Sequence, residues 1–190
     1  MRVALLLFLA ACGAGSAPAG PDADPSTEPV VVMSTSMGDL VVRLEPDAMP
    51  VTTANFLAYV DAGWYDGTII HRVVSDWVIQ GGGYTSGLVE KTAMAPIPLE
   101  TSPDVLHVDG TISMARTSDP DSATSQWFLC TWPHDSAPPQ SQLDGSYAAF
   151  GHLIEGTDVL HTIAAVPTTT SGTLQDVPVT EITVTSVRRR

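Results

Sequence analysis

The apolar residues of this chain fall in short runs separated by glycine, proline and polar residues. Val30–Ser36 and Asp39–Leu44 are rich in β-branched side chains, and Met37-Gly38 between them predicts a hairpin. The period changes over residues 50–62 (PVTTANFLAYVDA), where Val51, Ala54, Leu57 and Ala58 recur at the spacing of one helix face. Pro50 suits a first helical turn and Gly63 the position just past the last, so a helix is predicted here. Short strands are predicted over Thr68–Val74, Trp77–Gly81, Gly110–Ala115, Ser125–Thr131 and Ala148–Leu153. A second helix is expected at Thr157–Ala165. Val179–Val187 sets Val179, Glu181, Thr183 and Thr185 imperfectly against Ile182, Val184 and Val187, and is expected to close the sheet. Many short strands with only two helices predict a mainly β domain, a barrel or a sandwich.

The front of the chain reads differently. Arg2 precedes Val3–Ala11, an uncharged apolar run. It is far shorter than the roughly 20 residues of a membrane-spanning helix and matches a secretory hydrophobic region. The run ends in Leu9-Ala10-Ala11-Cys12, which resembles a bacterial lipobox. Residues 1–11 are therefore expected to be a signal peptide and Cys12 a lipidated N-terminus. An ordinary signal peptide or an uncleaved apolar end are the alternatives. Residues 13–29 (GAGSAPAGPDADPSTEP) hold no large side chain to bury and are expected to be a flexible linker. Residues 12–29 thus tether a domain spanning 30–190. The expected location is the cell envelope, with the lipid as the only contact with the membrane.

Composition narrows the partners. Of 190 residues, 44% are hydrophobic, enough for an ordinary core, and the net charge is −13. Such a chain repels nucleic acid and anionic lipid surfaces. Two cysteines cannot build a disulfide framework or a four-cysteine zinc site. Cys130, inside TSQWFLCT, is expected to be a small buried hydrophobe. His107, His134, His152 and His161 show no ligand spacing, so neither a metal nor a cofactor is expected. Asp119, Asp121 and Asp135 are expected in solvated loops, and Arg188–Arg190 as a frayed, solvated end.

Two segments carry the chemistry. One is residues 70–83 (IHRVVSDWVIQGGG); the other is residues 110–131, followed by Leu143-Asp144-Gly145 and Phe150-Gly151-His152. At TTANFLAYV, YDGTIIHRV, IQGGG, SMAR, SQWF and the LDG…FG pair, in that order, the sequence resembles the cyclophilin family of peptidyl-prolyl cis–trans isomerases. The resemblance spans about residues 30 to 187. It implies a closed eight-stranded antiparallel barrel capped by two helices, with the site on its outer face, acting as a monomer on proline-containing polypeptides. Rotation about an X–Pro bond breaks no bond, so it needs no nucleophile, metal or general base.

By the same resemblance Arg72 is the catalytic arginine, and Gln80 steadies it and contacts substrate backbone. Trp77 and Val78 stand where the family has phenylalanine and methionine. Phe128 and Leu143 form the floor and wall of the proline pocket, and Gln126 lines the neighbouring groove. Ala115 and Arg116 form a short edge whose backbone pairs with the peptide. Tyr147 stands where eukaryotic members have histidine. Taken alone, Arg72 would read as a solvated strand arginine, and Trp77 and Phe128 as core. His71 is expected to point away from Arg72 and to be structural. Gln142 replaces a tryptophan that contacts cyclosporin in many members, which predicts weak inhibition by that ligand. The function implied is assisted folding of exported or envelope proteins. The competing reading is a cyclophilin-like module or holdase that binds proline segments with little turnover.

Overall fold

A computed structural model describes residues 28–132 and 143–190. The expected signal peptide and lipidated Cys12, most of the linker, His134, Asp135 and Gln142 lie outside the described residues.

The strands are β1 (Val30–Thr35), β2 (Gly38–Leu44), β3 (Thr68–Val74), β4 (Val78–Thr85), β5 (Val89–Glu90), β6 (Thr111–Met114), β7 (Trp127–Cys130), β8 (Ala149–Glu155), β9 (Thr168–Ser171), β10 (Leu174–Pro178) and β11 (Ile182–Arg189). The helices are α1 (Pro50–Asp61) and α2 (Thr157–Ala164). Strands pair in the order β3-β11-β1-β2-β8-β6-β7-β4, and β4 returns to β3. Every pairing is antiparallel, so eight strands close on themselves. β5 only extends β4, while β9 and β10 form a separate hairpin.

The interior follows from strand alternation. Val31 and Met33 of β1, Leu40 and Val42 of β2, Ile79 of β4, Trp127 and Leu129 of β7 and Phe150 of β8 pack in one core. Phe56, Tyr59 and Val60 of α1 and Leu160 and Ile163 of α2 join it. α1 starts at Pro50, as expected, and Gly63 follows it with φ +63°. Its buried face differs from the predicted one. Val51, Ala54 and Ala58 are exposed, and Thr52, Thr53, Phe56, Leu57, Tyr59 and Val60 are buried. The large aromatic rings, which bury more area than alanine methyls, decide which way the helix turns.

Three further expectations are corrected. The predicted strand at Val179–Val187 runs instead from Ile182 to Arg189, and Val179 is exposed. Arg188–Arg190 is not frayed. The Arg190 N–H donates to the Val30 carbonyl at 2.9 Å, Arg188 pairs with Asp66 at 2.5 Å, Arg189 with Asp61 at 2.6 Å, and Arg190 with Glu155. Finally, the β3–β4 register slips between Ile70 and Arg72, since Ile70 faces Gly81 while Arg72 faces Gln80. This bulge puts one extra residue on β3, so Ile70 and Val73 both enter the core. His71 is buried as a structural residue should be, but it borders the same outer groove as Arg72 rather than pointing away from it.

Candidate active site

Strand register assembles the site. Arg72 on β3 lies opposite Gln80 on β4, Gln80 opposite Phe128 on β7, and Phe128 opposite Ser113 on β6. Residues directly opposite share a face, so these four form one row across the barrel wall. Val74, Val78 and Cys130 form a parallel row two residues along. With Trp132 and Leu143 they make a second apolar cluster outside the barrel core, flanked by Trp77, Ala115 and Tyr147. The alternation that sends Trp127 and Leu129 inward thus turns Phe128 and Cys130 outward.

Val78, Phe128 and Leu143 of this cluster form the floor of a hollow of about 130 Å³. A dry apolar cavity of about 150 Å³ takes a benzene-sized ring, so a pyrrolidine ring matches this scale. Phe128 and Leu143 line it, and Tyr147 meets the Phe128 ring edge-on with centroids 5.7 Å apart. Trp77 and Val78 close one side. Arg116 braces the other, its guanidinium 4.4 Å from the Tyr147 ring centre and its Nε–H donating to the Ser146 carbonyl at 2.9 Å. The Ala115 N–H donates to the Gln126 carbonyl at 2.9 Å, so that donor of the expected edge is not available to a peptide.

Arg72 stands at the rim, one-third exposed. Its Nη1–H donates to Gln80 Oε1 at 3.4 Å, and Gln80 Nε2–H donates to Gln126 Oε1 at 2.9 Å. The guanidinium also lies 5.5 Å from the Trp77 ring centre. Room for this chain comes from the glycine run. A Cβ at Gly83 would lie 2.6 Å from the Gln126 side chain. Every site residue expected from the sequence within the described region is therefore brought together: nine line the hollow, and Gln126 holds Gln80 from behind.

The chain matches the family described as cyclophilin type peptidyl-prolyl cis-trans isomerase/CLD over residues 30–189. It belongs to that family. A peptidyl-prolyl cis-trans isomerase of Acinetobacter baylyi is 42% identical over 159 residues, covering 84% of each chain. One of Streptomyces antibioticus is 42% identical over 163 residues, covering 83% of this chain and 96% of its own. A Cryptosporidium parvum cyclophilin-type isomerase, crystallised in the presence of the dipeptide Ala-Pro, superposes with a TM-score of 0.70 at 29% identity, covering 85% of this chain and 98% of its own. The protein is a peptidyl-prolyl cis-trans isomerase by family.

Two features of this cyclophilin escaped the sequence reading. His107 stacks under Phe128 with centroids 6.0 Å apart; its Nδ1 is 2.8 Å from Asp144 Oδ1 and its Nε2 3.0 Å from Ser113 Oγ. Burial holds the imidazole pKa below its usual value despite the opposing pull of Asp144. In the neutral ring Nδ1–H donates to Asp144 and Nε2 accepts from Ser113. The grouping contains the residues of a hydrolytic triad, but Ser113 and His107 are sealed beneath the floor and no substrate reaches them. Its work is to hold Phe128 in place. The Leu143-Asp144-Gly145 motif was the signal, although nothing in its spacing pointed to His107. The second feature is Asp176 on β10, whose Oδ2 lies 3.7 Å from Arg72 Nε. The β9–β10 hairpin was not predicted, although Ser171-Gly172 after three threonines is a turn signal.

Proposed function

We propose that Arg72 is the catalytic residue and that Gln80 both orients it and contacts the peptide, with the proline ring seated on Phe128, Leu143 and Val78. The observation that carries this reading is the Arg72–Gln80–Gln126 chain at the rim of an apolar hollow. The X–Pro bond crosses a barrier of about 18–20 kcal/mol through a twisted state in which amide resonance is lost. Reaching millisecond turnover from exchange over tens to hundreds of seconds requires lowering it by roughly 7 kcal/mol. An Arg72 N–H donates to the proline carbonyl and, in the twisted state, to the nitrogen lone pair, a charge-assisted bond worth about 1.5–3 kcal/mol. Burial of the ring and fixed contacts to the flanking peptide supply the remainder. Proline-containing segments are the substrate, in keeping with the Ala-Pro dipeptide used with the Cryptosporidium parvum relative.

Arg72→Ala should remain folded and lose roughly 30–150-fold in isomerisation of a proline tetrapeptide, the equivalent of about 2–3 kcal/mol. A fully active variant would refute the assignment.

The Val3–Ala11 run and Cys12 support a lipid-anchored, exported enzyme, and the reading of it as a monomer that assists folding of envelope proteins rests on the family resemblance together with that location. Since one acyl chain binds membranes only marginally, the anchor requires more than one. Wild-type protein should fractionate with membranes and Cys12→Ser should not; an unmodified N-terminus by mass spectrometry would exclude the anchor.

A further inference from the structure

The hairpin beside the site reaches into it. β9 and β10 turn at Gly172, and the pairing slips between Leu174 and Val177, leaving an irregularity at Gln175 and Asp176. Asp176 has φ +58°, a conformation that a non-glycine residue adopts at a cost, though aspartate and asparagine tolerate it best. Bulges of this kind re-aim a side chain. Here Val177 stays buried while the Asp176 carboxylate stands against Arg72 Nε at 3.7 Å.

The Arg72 guanidinium is consequently tied on three sides. Nε faces Asp176, Nη1 faces Gln80, and the plane faces Trp77. Among the described residues no partner takes Nη2. An arginine side chain has many rotamers, and each tie removes orientations that would not present this nitrogen to a substrate.

We propose that Asp176 is a positioning residue for the isomerase reaction, holding Arg72 by its Nε edge so that Nη2 points at the peptide above the hollow. It does not touch the substrate; it acts through Arg72. The inference rests on Arg72 being the catalytic group. Both partners are partly exposed, so the tie is a modest one that salt weakens.

The test is the kinetics of Asp176→Asn, which preserves side-chain shape and tolerance of positive φ while removing the charge. The expected kcat is lower by about 3–5-fold, the scale of an exposed ion pair, with KM within about twofold. Raising salt to about 1 M, where screening acts within about 3 Å, should lower wild-type kcat towards that of the variant and leave the variant nearly unchanged. By NMR, the Arg72 Nε–H should exchange with solvent faster in the variant. A kcat that is unchanged or raised, or an equal salt response in both proteins, overturns the proposal. Arg72→Ala separates the two readings. If it loses the expected roughly 30–150-fold beside an unaltered Asp176→Asn, the Asp176 role alone fails; if it is fully active, the Arg72 assignment fails and takes this one with it.

Discussion

A methyl group at Gly83 would sit 2.6 Å from the Cγ and Cδ atoms of Gln126. That distance is too short, but the obstacle is a flexible side chain and no backbone rearrangement is needed. Gln126 is also the residue that accepts from Gln80, which in turn accepts from Arg72. Gly83→Ala should therefore leave the barrel folded and displace Gln126. Loss of one such hydrogen bond costs about 0.5–1.5 kcal/mol, so tetrapeptide isomerisation should fall roughly 2–10-fold. A Gly83→Ala enzyme with wild-type kcat/KM would show that Gln126 does not steady the pair. The same reasoning separates Phe128 from its neighbour Trp127. The two rings are adjacent in sequence and both buried, yet one lies in the floor of the site and the other in the barrel core.

Elements here are completed by residues distant in sequence. The N-cap position of α1 is Met49, which offers no side-chain acceptor. The Glu100 carboxylate takes that place, accepting from the Val51 N–H at 3.2 Å and the Thr52 N–H at 2.9 Å. It satisfies two of the otherwise free amide donors and puts negative charge at the positive end of the helix. Glu100→Ala should cost about 1 kcal/mol, a fall of roughly 2–4 °C in Tm for a domain of this size, without changing the isomerase rate. Thermal unfolding followed by circular dichroism would show it, and an unchanged midpoint would mean that water caps the helix equally well. β3 teaches the same lesson. Its bulge lets Ile70 and Val73 both reach the core and leaves His71 and Arg72 together along the outer groove.

On the scale of the whole molecule, the closed barrel buries titratable groups whose neutral forms it requires. Burial, reinforced by the neighbouring Arg72 charge, lowers the His71 pKa from 6.5 to about 4, and burial also lowers that of His107. In the unfolded chain both imidazoles take up protons near pH 6.5, whereas the native state resists them. The His71 contribution to stability is complete above about pH 6.5 and is lost as the pH falls towards about 4, amounting to about 3 kcal/mol, and that of His107 is likewise lost on the acid side of its ordinary value. Asp61 and Asp66 act in a separate window. The Arg189 and Arg188 guanidiniums hold them below the ordinary carboxylate value of 3.8, so their stabilisation goes only in stronger acid. Urea midpoints should fall steadily from about pH 7 to about pH 4, and His71→Phe, which keeps a buried ring, should flatten that slope. An equal slope in the variant would show that His71 is protonated without penalty in the native state.

What the sequence by itself determined was the local pattern. Alternation and turn residues located the strands of the barrel, Pro50 and Gly63 bounded α1, and spaced motifs named the residues of the hollow. These are properties of neighbouring residues, and neighbours in a chain constrain each other directly. The tertiary structure decided matters that depend on which distant segments meet. The face α1 buries follows from the space available to Phe56 and Tyr59, not from the spacing of Val51, Ala54 and Ala58. Arg188–Arg190 reads as a loose end until β11 pairs with β1 and brings it to Asp66, Asp61 and Glu155. His107 and Asp144 are 37 positions apart, and Arg72 and Asp176 further still; no periodicity spans such distances. A register shift of one residue, invisible in composition, sets which side chains share the face where the peptide bond must turn.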